Sequence, residues 1–282
     1  MNKLSIFTTV GHKNCEKVTD PFNEAMNCHC DLADELVIVN GGKPYTFQDV
    51  IKLNVDADCD VRFENYEWPE DFDWKFIGEQ FNRGYMACKG DWVIHADLDF
   101  FFHEKNFDDI RRSLDFYQEE PALAFLKHQF LLVDRFRLKS RLVLAVNKKK
   151  FGDRIQFDSG GDLCQPSLDG KEIKIEDIRV LRIPFYNYDF CFKAKEEIAY
   201  EFNRMAQARH KDFPNDDWGY KSEGEALEYF KRMMIGRFNN NEGWQKIRLE
   251  DHPKYIQKKI KNINPEQFGY NMFGWVKEKA YA

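Results

Sequence analysis

Short apolar, β-branched runs alternate with longer stretches of helical spacing along the first hundred positions of the chain. Runs of four to seven apolar residues are typical of buried strands, whereas apolar positions three or four apart indicate helices. The predicted elements in this part are, in chain order, strand 4–10, helix 20–33, strand 35–39, strand 61–63, helix 75–89 and strand 92–94. Such an alternation predicts an α/β protein with a mostly parallel sheet that helices cover on both faces.

The second half of the chain changes character and becomes richer in helix toward its end. The pattern predicts, in chain order, helix 108–119, strands 122–126, 130–133 and 141–146, a glycine-bearing acidic loop over 157–162, and helices 195–209, 223–236 and 253–263. No Pro/Gly/Ser-rich linker or internal repeat separates these segments. We therefore expect a domain over 1–195, divided near residue 104, and a helical extension over 196–282 that packs on the same body.

Two carboxylates, Asp97 and Asp99, follow the apolar run Trp92-Val93-Ile94 directly. In open α/β sheets ligands bind at the carboxyl ends of the strands, and carboxylate oxygens there can hold Mg²⁺ or Mn²⁺ against a diphosphate. An extended chain would point both side chains to the same face. An Asp-x-Asp triplet also arises by chance in a chain with 48 acidic residues, but two carboxylates beside a buried strand need a compensating cation or hydrogen-bond donors.

Composition narrows the class of protein without identifying it. The chain has 282 residues, 43% of them apolar, which is enough for a sizeable core, and its net charge of −6 argues against a nucleic-acid partner. The seven cysteines form no regular framework and the amino-terminal apolar run is too short for a secretory signal, so we expect reduced thiols and a cytoplasmic protein. No stretch approaches the ~20 apolar residues of a membrane-spanning helix, so membrane contact is expected to be peripheral at most.

The segment from Asn82 to Asp99 carries a resemblance to a known family. It reads Asn82-x-Gly84-x-x-Ala87-x-x-Gly90-Asp91-Trp92, then four residues and Asp97-x-Asp99. It resembles the helix, glycine turn, strand and metal-binding Asp-x-Asp of GT-A nucleotide-sugar glycosyltransferases, most nearly those of family 2. A weaker likeness covers residues 185–193, which are similar to a Tyr-His-Tyr segment of some members, with Asn187 at the position of the His. The resemblance extends over residues 4 to about 205 and implies the GT-A fold, with a donor-binding half over about 1–104 and an acceptor half over about 105–195.

The resemblance implies roles for individual residues on the donor side. Asp97 would contact the donor ribose or the metal shell, Asp99 would ligate Mn²⁺ or Mg²⁺, and Asn187 would add a neutral amide oxygen to that cation. Members of the family often have a third acid where this chain has Phe100. Nucleotide-base contacts would come from the ends of the first two strands, and positive charge beside the diphosphate from two basic residues. These candidates are Thr8, Thr9, Val10, Asn40, Arg83 and Lys193.

Three carboxylates are candidates for the general base that takes the acceptor proton. Asp162 comes first, because Gly160-Gly161 lets the backbone of its loop approach a ligand closely and because related sequences carry an Asp ahead of the Tyr-His-Tyr-like segment. Asp158, in the same loop, is the second candidate. Asp217 is the third, although it can equally cap a helix.

Together these features predict a metal-dependent, inverting glycosyltransferase. It would move a sugar from a UDP-, GDP- or TDP-type donor to a hydroxyl of a glycan or glycolipid. Two alternatives stay open. One is a non-catalytic module of the same fold that binds a sugar or a partner, since the third acid is missing. The other is a sugar nucleotidyltransferase, although the residues after the first strand lack a glycine-rich, basic phosphate loop.

Overall fold

The computed structural model describes residues 2–10, 21–41, 59–69, 73–158, 164–240, 243–278 and 280. Its strands are β1 (Leu4–Val10), β2 (Glu35–Asn40), β3 (Asp60–Asn65), β4 (Trp92–His95), β5 (Phe100–Phe102), β6 (Ala122–Leu132), β7 (Arg135–Asn147), β8 (Ile155–Phe157), β9 (Pro166–Leu168), β10 (Lys171–Glu172), β11 (Arg179–Asn187) and β12 (Trp244–Lys246). Its helices are α1 (Phe22–Leu32), α2 (Trp74–Ala87), α3 (Phe107–Phe116), α4 (Lys148–Phe151), α5 (Lys195–Asp212), α6 (Glu223–Asn239), α7 (Lys254–Lys261) and α8 (Phe268–Asn271).

The main sheet has a parallel half and an antiparallel half. Its strand order is β3-β2-β1-β4-β7-β6-β11-β5, with β12 beside β7. Strands β3, β2, β1 and β4 pair in parallel, and they alternate with α1 and α2 as the sequence pattern predicts. From β7 onward the observed pairings are antiparallel. The predicted α/β fold class is thus confirmed, with the parallel strands confined to the first hundred residues.

One predicted pair of strands proves to be a single strand. Residues 122–126 and 130–133 were expected to be separate, but β6 runs without a break from Ala122 to Leu132. The polar residues between the two runs made the apolar pattern look interrupted. Lys127 and Gln129 nevertheless lie within the strand and are only 8% and 7% exposed. Polar residues in a strand that is covered on both faces remove the alternation by which strands are recognised.

Backbone contacts group the chain into two compact units. Unit 1 contains residues 1–128, 139–187 and 253–256, and unit 2 contains residues 129–138, 188–252 and 257–282. The tip of the β6–β7 hairpin is thus grouped with the carboxyl-terminal segments. The expected division at residues 104 and 195, and the packing of the extension on the same body, remain predictions.

The core of unit 1 is aromatic where α2 meets the sheet. The rings of Phe7, Phe81 and Phe157 contact one another edge to face, with centroids 5.8–5.9 Å apart. Tyr85 lies in the same cluster and donates its hydroxyl to the carbonyl of Gly152 at 2.8 Å. These contacts hold β1 and α2 together and so position the strand ends that lie beyond them.

A buried carboxylate joins the parallel strands at their amino-terminal side. Glu35 of β2 accepts hydrogen bonds from the Ser5 hydroxyl at 2.5 Å and the Lys89 amide at 2.7 Å, and it contacts the Arg62 guanidinium. Burial raises the pKa of Glu35, but these three donors outweigh burial and hold it below its usual range. The network therefore links β1, β2, β3 and the turn before β4.

The expectation of reduced thiols is wrong for one pair of cysteines. Cys30 at the end of α1 and Cys59 just before β3 are joined by a disulfide, with their Cα atoms 5.3 Å apart. The other cysteines among the described residues are buried and form no disulfide, and they are Cys28, Cys88, Cys164 and Cys191. The two bonded residues are separated by 29 positions, and spacing alone does not indicate such a pair.

Gly90, in the turn between α2 and β4, is expected to be intolerant of a side chain. A Cβ atom there would lie 2.6 Å from both the Ser5 amide nitrogen and its hydroxyl, and 2.9 Å from the Trp92 carbonyl. Because two of these contacts are backbone atoms, Gly90→Ala should lower the free energy of unfolding by about 1–3 kcal/mol. The control is Gly236→Ala in α6, where a Cβ meets nothing within 4 Å and higher helix propensity should stabilise by about 0.5–1 kcal/mol. Denaturant unfolding of both variants checks this prediction, which a neutral or stabilising Gly90→Ala would contradict.

Candidate functional site

The carboxyl ends of the parallel strands meet at one edge of the sheet. β4 ends opposite the middle of β1, because His95 pairs with Phe7 and the Ala96 amide donates to the Phe7 carbonyl at 3.0 Å. The last residues of β1 therefore run on beside the chain that leaves β4. On the other side of β1, Val10 pairs with Asn40 of β2. The structure thus brings the predicted β1, β2 and Asp97 candidates to the same edge.

The predicted nucleotide-base residues differ in burial. Thr8, Val10 and Asn40 are almost fully buried, whereas Thr9 is half-buried. The Thr8 hydroxyl has no hydrogen-bond partner, and the Asn40 amide nitrogen donates to the Asn65 side-chain oxygen at 3.2 Å. Because their side chains are buried, we expect contacts with a base to come mainly from the backbone and from Thr9.

Asp97 and Asp99 lie in a tight turn between β4 and β5. The Phe100 amide donates to the Asp97 carbonyl at 3.0 Å, which closes the turn, and β5 begins at Phe100. The expectation of an extended Asp97-Leu98-Asp99 is therefore corrected. The turn places Leu98 in a buried position, 9% exposed, whereas the Asp97 side chain is 42% exposed.

Asn187 is brought to this turn by the pairing of two distant strands. β11 runs antiparallel to β5, with Asn187 opposite Phe100, and the Asn187 amide nitrogen donates to Asp99 Oδ2 at 3.3 Å. Asn187 is 3% exposed, and its buried Oδ1 atom has no hydrogen-bond partner among the described residues. Buried acceptors are rarely left unpaired in folded proteins, and an amide oxygen is a ligand for hard cations. This oxygen, on the same amide group whose nitrogen contacts Asp99, therefore marks a position where a donor or a cation would be accommodated.

A histidine from β4 contacts the other carboxylate. His95 Nε2 lies 3.1 Å from Asp97 Oδ1, which is within ion-pair distance, although the atoms lack the alignment of a hydrogen bond. The His95 ring is 7% exposed and lies against Phe81 and Phe7, with centroids 3.9 and 5.0 Å away. Packing on two aromatic rings holds the imidazole in place beside Asp97.

His29 of α1, which sequence reasoning did not select, supports the same turn from the core. Its Nε2 atom lies 2.9 Å from the Phe100 carbonyl, and the ring is completely buried. Burial lowers the pKa of His29 to about 4, so the ring is neutral at neutral pH. Because the carbonyl only accepts, we assign the proton to Nε2, which leaves Nδ1 as a buried acceptor without a partner.

Lys127 of β6 is a second residue that sequence reasoning missed. Lys127 is only 8% exposed, and its Nζ lies 5.5 Å from the centre of the Phe100 ring. Phe100 is the residue that follows Asp99 in the chain. A buried ammonium needs compensation by negative charge or by the face of an aromatic ring. A lysine within an otherwise apolar run could have indicated a buried functional cation. The sequence pattern instead predicted a break between two strands at this position.

The residues of this turn have the ligand atoms that a divalent cation prefers, but they do not form a complete protein site. Among the described residues, no group of three or more His, Cys, Asp and Glu side chains is placed to hold a metal ion. Asp97, Asp99 and the Asn187 amide oxygen form an all-oxygen set, which suits Mg²⁺ or Mn²⁺ better than Zn²⁺. Mg²⁺ commonly binds through one or two carboxylates plus waters and substrate phosphates. The donor set therefore agrees with a site that a diphosphate completes.

The two predicted basic donor residues lie in different units. Arg83 in α2 of unit 1 is exposed, and its guanidinium carbon lies 3.8 Å from the centre of the Tyr66 ring. Lys193 in unit 2 has its Nζ 2.6 Å from Glu201, and its side chain is 13% exposed. Arg83 is available to solvent-borne ligands, whereas Lys193 is already paired with a carboxylate. Their roles in donor binding stay predictions.

Two of the three candidate bases, Asp158 and Asp217, are among the described residues. Asp162 lies outside the described residues, and Asp158 is an exposed residue just after β8. Asp217 in unit 2 accepts a hydrogen bond from the Gly219 amide at 3.0 Å, which is the bonding of a turn residue. The identity of the base stays a prediction.

Each helix among the described residues is too short or too polar to cross a membrane. The expected limit to peripheral membrane contact therefore stays a prediction, as does the cellular location.

No protein family and no curated protein matches the sequence. Among solved structures, S. aureus TarS in complex with UDP-GlcNAc is 14% identical, with 84% of this chain and 80% of that chain covered and a TM-score of 0.44. S. aureus TarS in complex with UDP is 14% identical over 91% and 77% of the two chains, with a TM-score of 0.44. A putative nucleotide-diphospho-sugar transferase from Desulfovibrio desulfuricans G20 is 12% identical over 84% and 99%, with a TM-score of 0.37.

These matches concern fold and leave activity to be argued from the site itself. All three TM-scores are below 0.5, and the identities are far below those at which function transfers. The sheet order and the Asp97–Asp99 turn at the end of β4 are the observations of this chain on which a functional assignment rests. The chain has the mixed α/β fold that the sequence predicted, with its parallel strands in the first hundred residues.

Proposed function

We infer that this protein is a metal-dependent glycosyltransferase that moves a sugar from a nucleoside-diphosphate sugar to a hydroxyl group of a glycan or glycolipid. The observation that carries the proposal is the Asp97–Asp99 turn at the carboxyl end of β4, with the unpartnered Asn187 oxygen beside it. Ligands of open α/β sheets bind at this edge. Two carboxylates and a buried amide oxygen form a donor set that a cation and a diphosphate would complete.

The residues divide into a cation-binding group and supporting groups. Asp97, Asp99 and Asn187 would hold Mn²⁺ or Mg²⁺, and the bound ion would supply Lewis acidity to the departing diphosphate. His95 orients the Asp97 carboxylate from 3.1 Å. Lys127 contributes positive charge on the Phe100 side of the turn, where it favours bound anions.

Transfer also requires a group that removes the acceptor proton. As the acceptor oxygen attacks the anomeric carbon, the bond from that carbon to the diphosphate breaks and a carboxylate takes the hydroxyl proton. Asp162 remains the first candidate for this base, ahead of Asp158 and Asp217. Direct displacement from the face opposite the diphosphate inverts the anomeric configuration.

Calorimetric titration with UDP, GDP, TDP and CDP, each with and without Mn²⁺, tests the proposal. We expect one nucleotide to bind in a Mn²⁺-dependent manner to the wild type and at least tenfold more weakly to Asp99→Ala. The nucleotide that binds identifies the donor base. If none of the four binds, the transferase proposal fails.

A non-catalytic module is the second candidate, because Phe100 stands where members of the resembling family often have a third acid. Hydrolysis of the donor separates the two functions, because a transferase without acceptor usually passes its sugar slowly to water. Slow Mn²⁺-dependent hydrolysis that Asp99→Ala abolishes would exclude a binding-only role. Binding without any hydrolysis or transfer would favour it.

Two substitutions at Asn187 test its amide oxygen as a ligand. Asn187→Ala removes the oxygen and should weaken Mn²⁺ binding about tenfold, whereas Asn187→Asp adds a charged ligand and should strengthen it. Without metal, the new carboxylate beside Asp99 should lower the melting temperature through like-charge repulsion, and Mn²⁺ should restore it. Melting curves across a Mn²⁺ titration measure both effects. Equal Mn²⁺ responses in the wild type and both variants would remove Asn187 from the site.

A further inference from the structure

A second polar pocket lies within unit 2, formed by the hairpin tip, α6 and β12. Arg137 of β7 pairs with Trp244 of β12, and the Trp244 indole nitrogen donates to the carbonyl of Arg237 in the last turn of α6 at 3.3 Å. Arg137, Arg237 and Trp244 all line this pocket, together with Gln129 and Asp189. We refer to it as the two-arginine pocket.

The pocket has an apolar floor and a charged mouth. Phe130, Met234 and Phe268 line it and are at most 3% exposed, whereas the arginines are half-buried. Both arginines are therefore partly accessible to solvent at this pocket. A ligand group at the mouth would contact both.

The two arginines carry charge that unit 2 leaves uncompensated. Among the described residues neither Arg137 nor Arg237 forms an ion pair, and Arg137 Nε is buried without a hydrogen-bond partner. The observed contact of the Arg237 guanidinium is with the Met234 sulfur at 3.9 Å. Burial and then the neighbouring positive charge of Arg237 lower the pKa of Arg137.

One carboxylate in the lining reduces this charge only in part. Asp189 accepts a hydrogen bond from the Gln129 amide at 3.3 Å, so it is already engaged on another side of the pocket. A single carboxylate can neutralise one of the two guanidinium groups at most. The pocket therefore keeps a net positive charge.

We propose that the two-arginine pocket binds an oxyanion, a phosphate or carboxylate group of a ligand, between Arg137 and Arg237. A planar guanidinium presents donors in a fork that matches such groups. An anion there would give Arg137 Nε a partner and remove the repulsion between the cations. The Trp244 ring, whose centre lies 5.3 Å from the Arg137 guanidinium carbon, holds that group in place beside the pocket.

The test is a titration with inorganic phosphate and, separately, with acetate, at constant ionic strength against chloride and with EDTA present. We expect saturable binding of at least one of them, weakened at least tenfold in Arg137→Gln and in Arg237→Gln. The control is Arg248→Gln in the same unit, because Arg248 is exposed and already paired with Asp251 at 2.8 Å. The two arms identify which oxyanion the pocket prefers. No saturable response beyond chloride, or equal binding by all variants, would overturn the proposal.

Two further measurements show whether the arginine variants are folded and whether the anion binds at the donor site instead. Without anions, neutralising either arginine relieves repulsion, so its melting temperature should equal or exceed that of the wild type while the phosphate or acetate response is lost. Asp99→Asn should retain that response, since this pocket is independent of the proposed cation site. Loss of the response in Asp99→Asn would instead assign the bound anion to the donor site and overturn the proposal, whatever the outcome for sugar transfer.

Discussion

Replacing Asp99 by asparagine is expected to lower the rate of sugar transfer by about 10²–10³-fold, an effect typical of losing one group that stabilises transition-state charge. The substitution keeps the size of the side chain and its proximity to Asn187, 3.3 Å away in the wild type, but removes the negative charge. A neutral amide binds a divalent cation more weakly than a carboxylate does. The leaving diphosphate would then lose most of the positive charge that stabilises it.

Kinetics at saturating Mn²⁺ and donor separate weaker cation binding from slower chemistry. If raising the Mn²⁺ concentration restores the rate of Asp99→Asn, the defect lies in cation affinity. Asp109→Asn in α3 is the matched control, because Asp109 is an exposed carboxylate of unit 1 whose side chain pairs with a neighbouring arginine, Arg112. A loss of rate in Asp109→Asn as large as that in Asp99→Asn would contradict a special role for Asp99.

The protein should lose stability as the pH falls from about 6.5 to about 4, and His29 should account for the largest part. Burial lowers its pKa from 6.5 to about 4, so over this range the unfolded chain binds a proton that the folded chain excludes. His29 therefore contributes fully to the free energy of unfolding above pH 6.5, and this contribution is lost as the pH falls toward 4. A shift of this size corresponds to about 3 kcal/mol.

His29→Gln tests this assignment, since glutamine can still donate to the Phe100 carbonyl but does not titrate. Urea unfolding between pH 4 and 7.5 should show a flatter profile in this variant than in the wild type. A smaller slope should remain from His128, whose pKa burial also lowers to about 4 but which is only half-buried. His210→Gln serves as the control, and a profile that is equally steep in all three proteins would exclude His29 as the cause.

Both predictions concern the turn between β4 and β5. His29 supports the Phe100 carbonyl from the core, and Phe100 is the residue that follows Asp99 and pairs with Asn187. Protonation of His29 would therefore place a buried charge directly beneath the proposed cation site. Nucleotide binding is expected to weaken in parallel with stability over the same range of pH.

Local patterns were sufficient wherever a structural feature depends on neighbours in the chain. Strands β1, β2 and β4 and helices α1 and α2 were predicted within about two residues, because apolar spacing records which face of each element is buried. The position of Asp97 and Asp99 beyond β4 follows from the same pattern, since carboxylates interrupt an apolar run where a buried strand ends. The unbroken β6 could not be predicted, because buried Lys127 and Gln129 have partners outside the local sequence.

The sequence by itself determined the fold class and the sheet edge that carries the candidate site, since both follow from the order and periodicity of local elements. Tertiary structure alone decided what surrounds that edge. Asn187 reaches Asp99 across 88 positions, and His29 reaches Phe100 across 71. Such contacts depend on the pairing of distant strands and on the packing of α1 against β5, and they leave no periodic signal in the chain. The pairing of Arg137 with Trp244, which forms the two-arginine pocket, was hidden for the same reason.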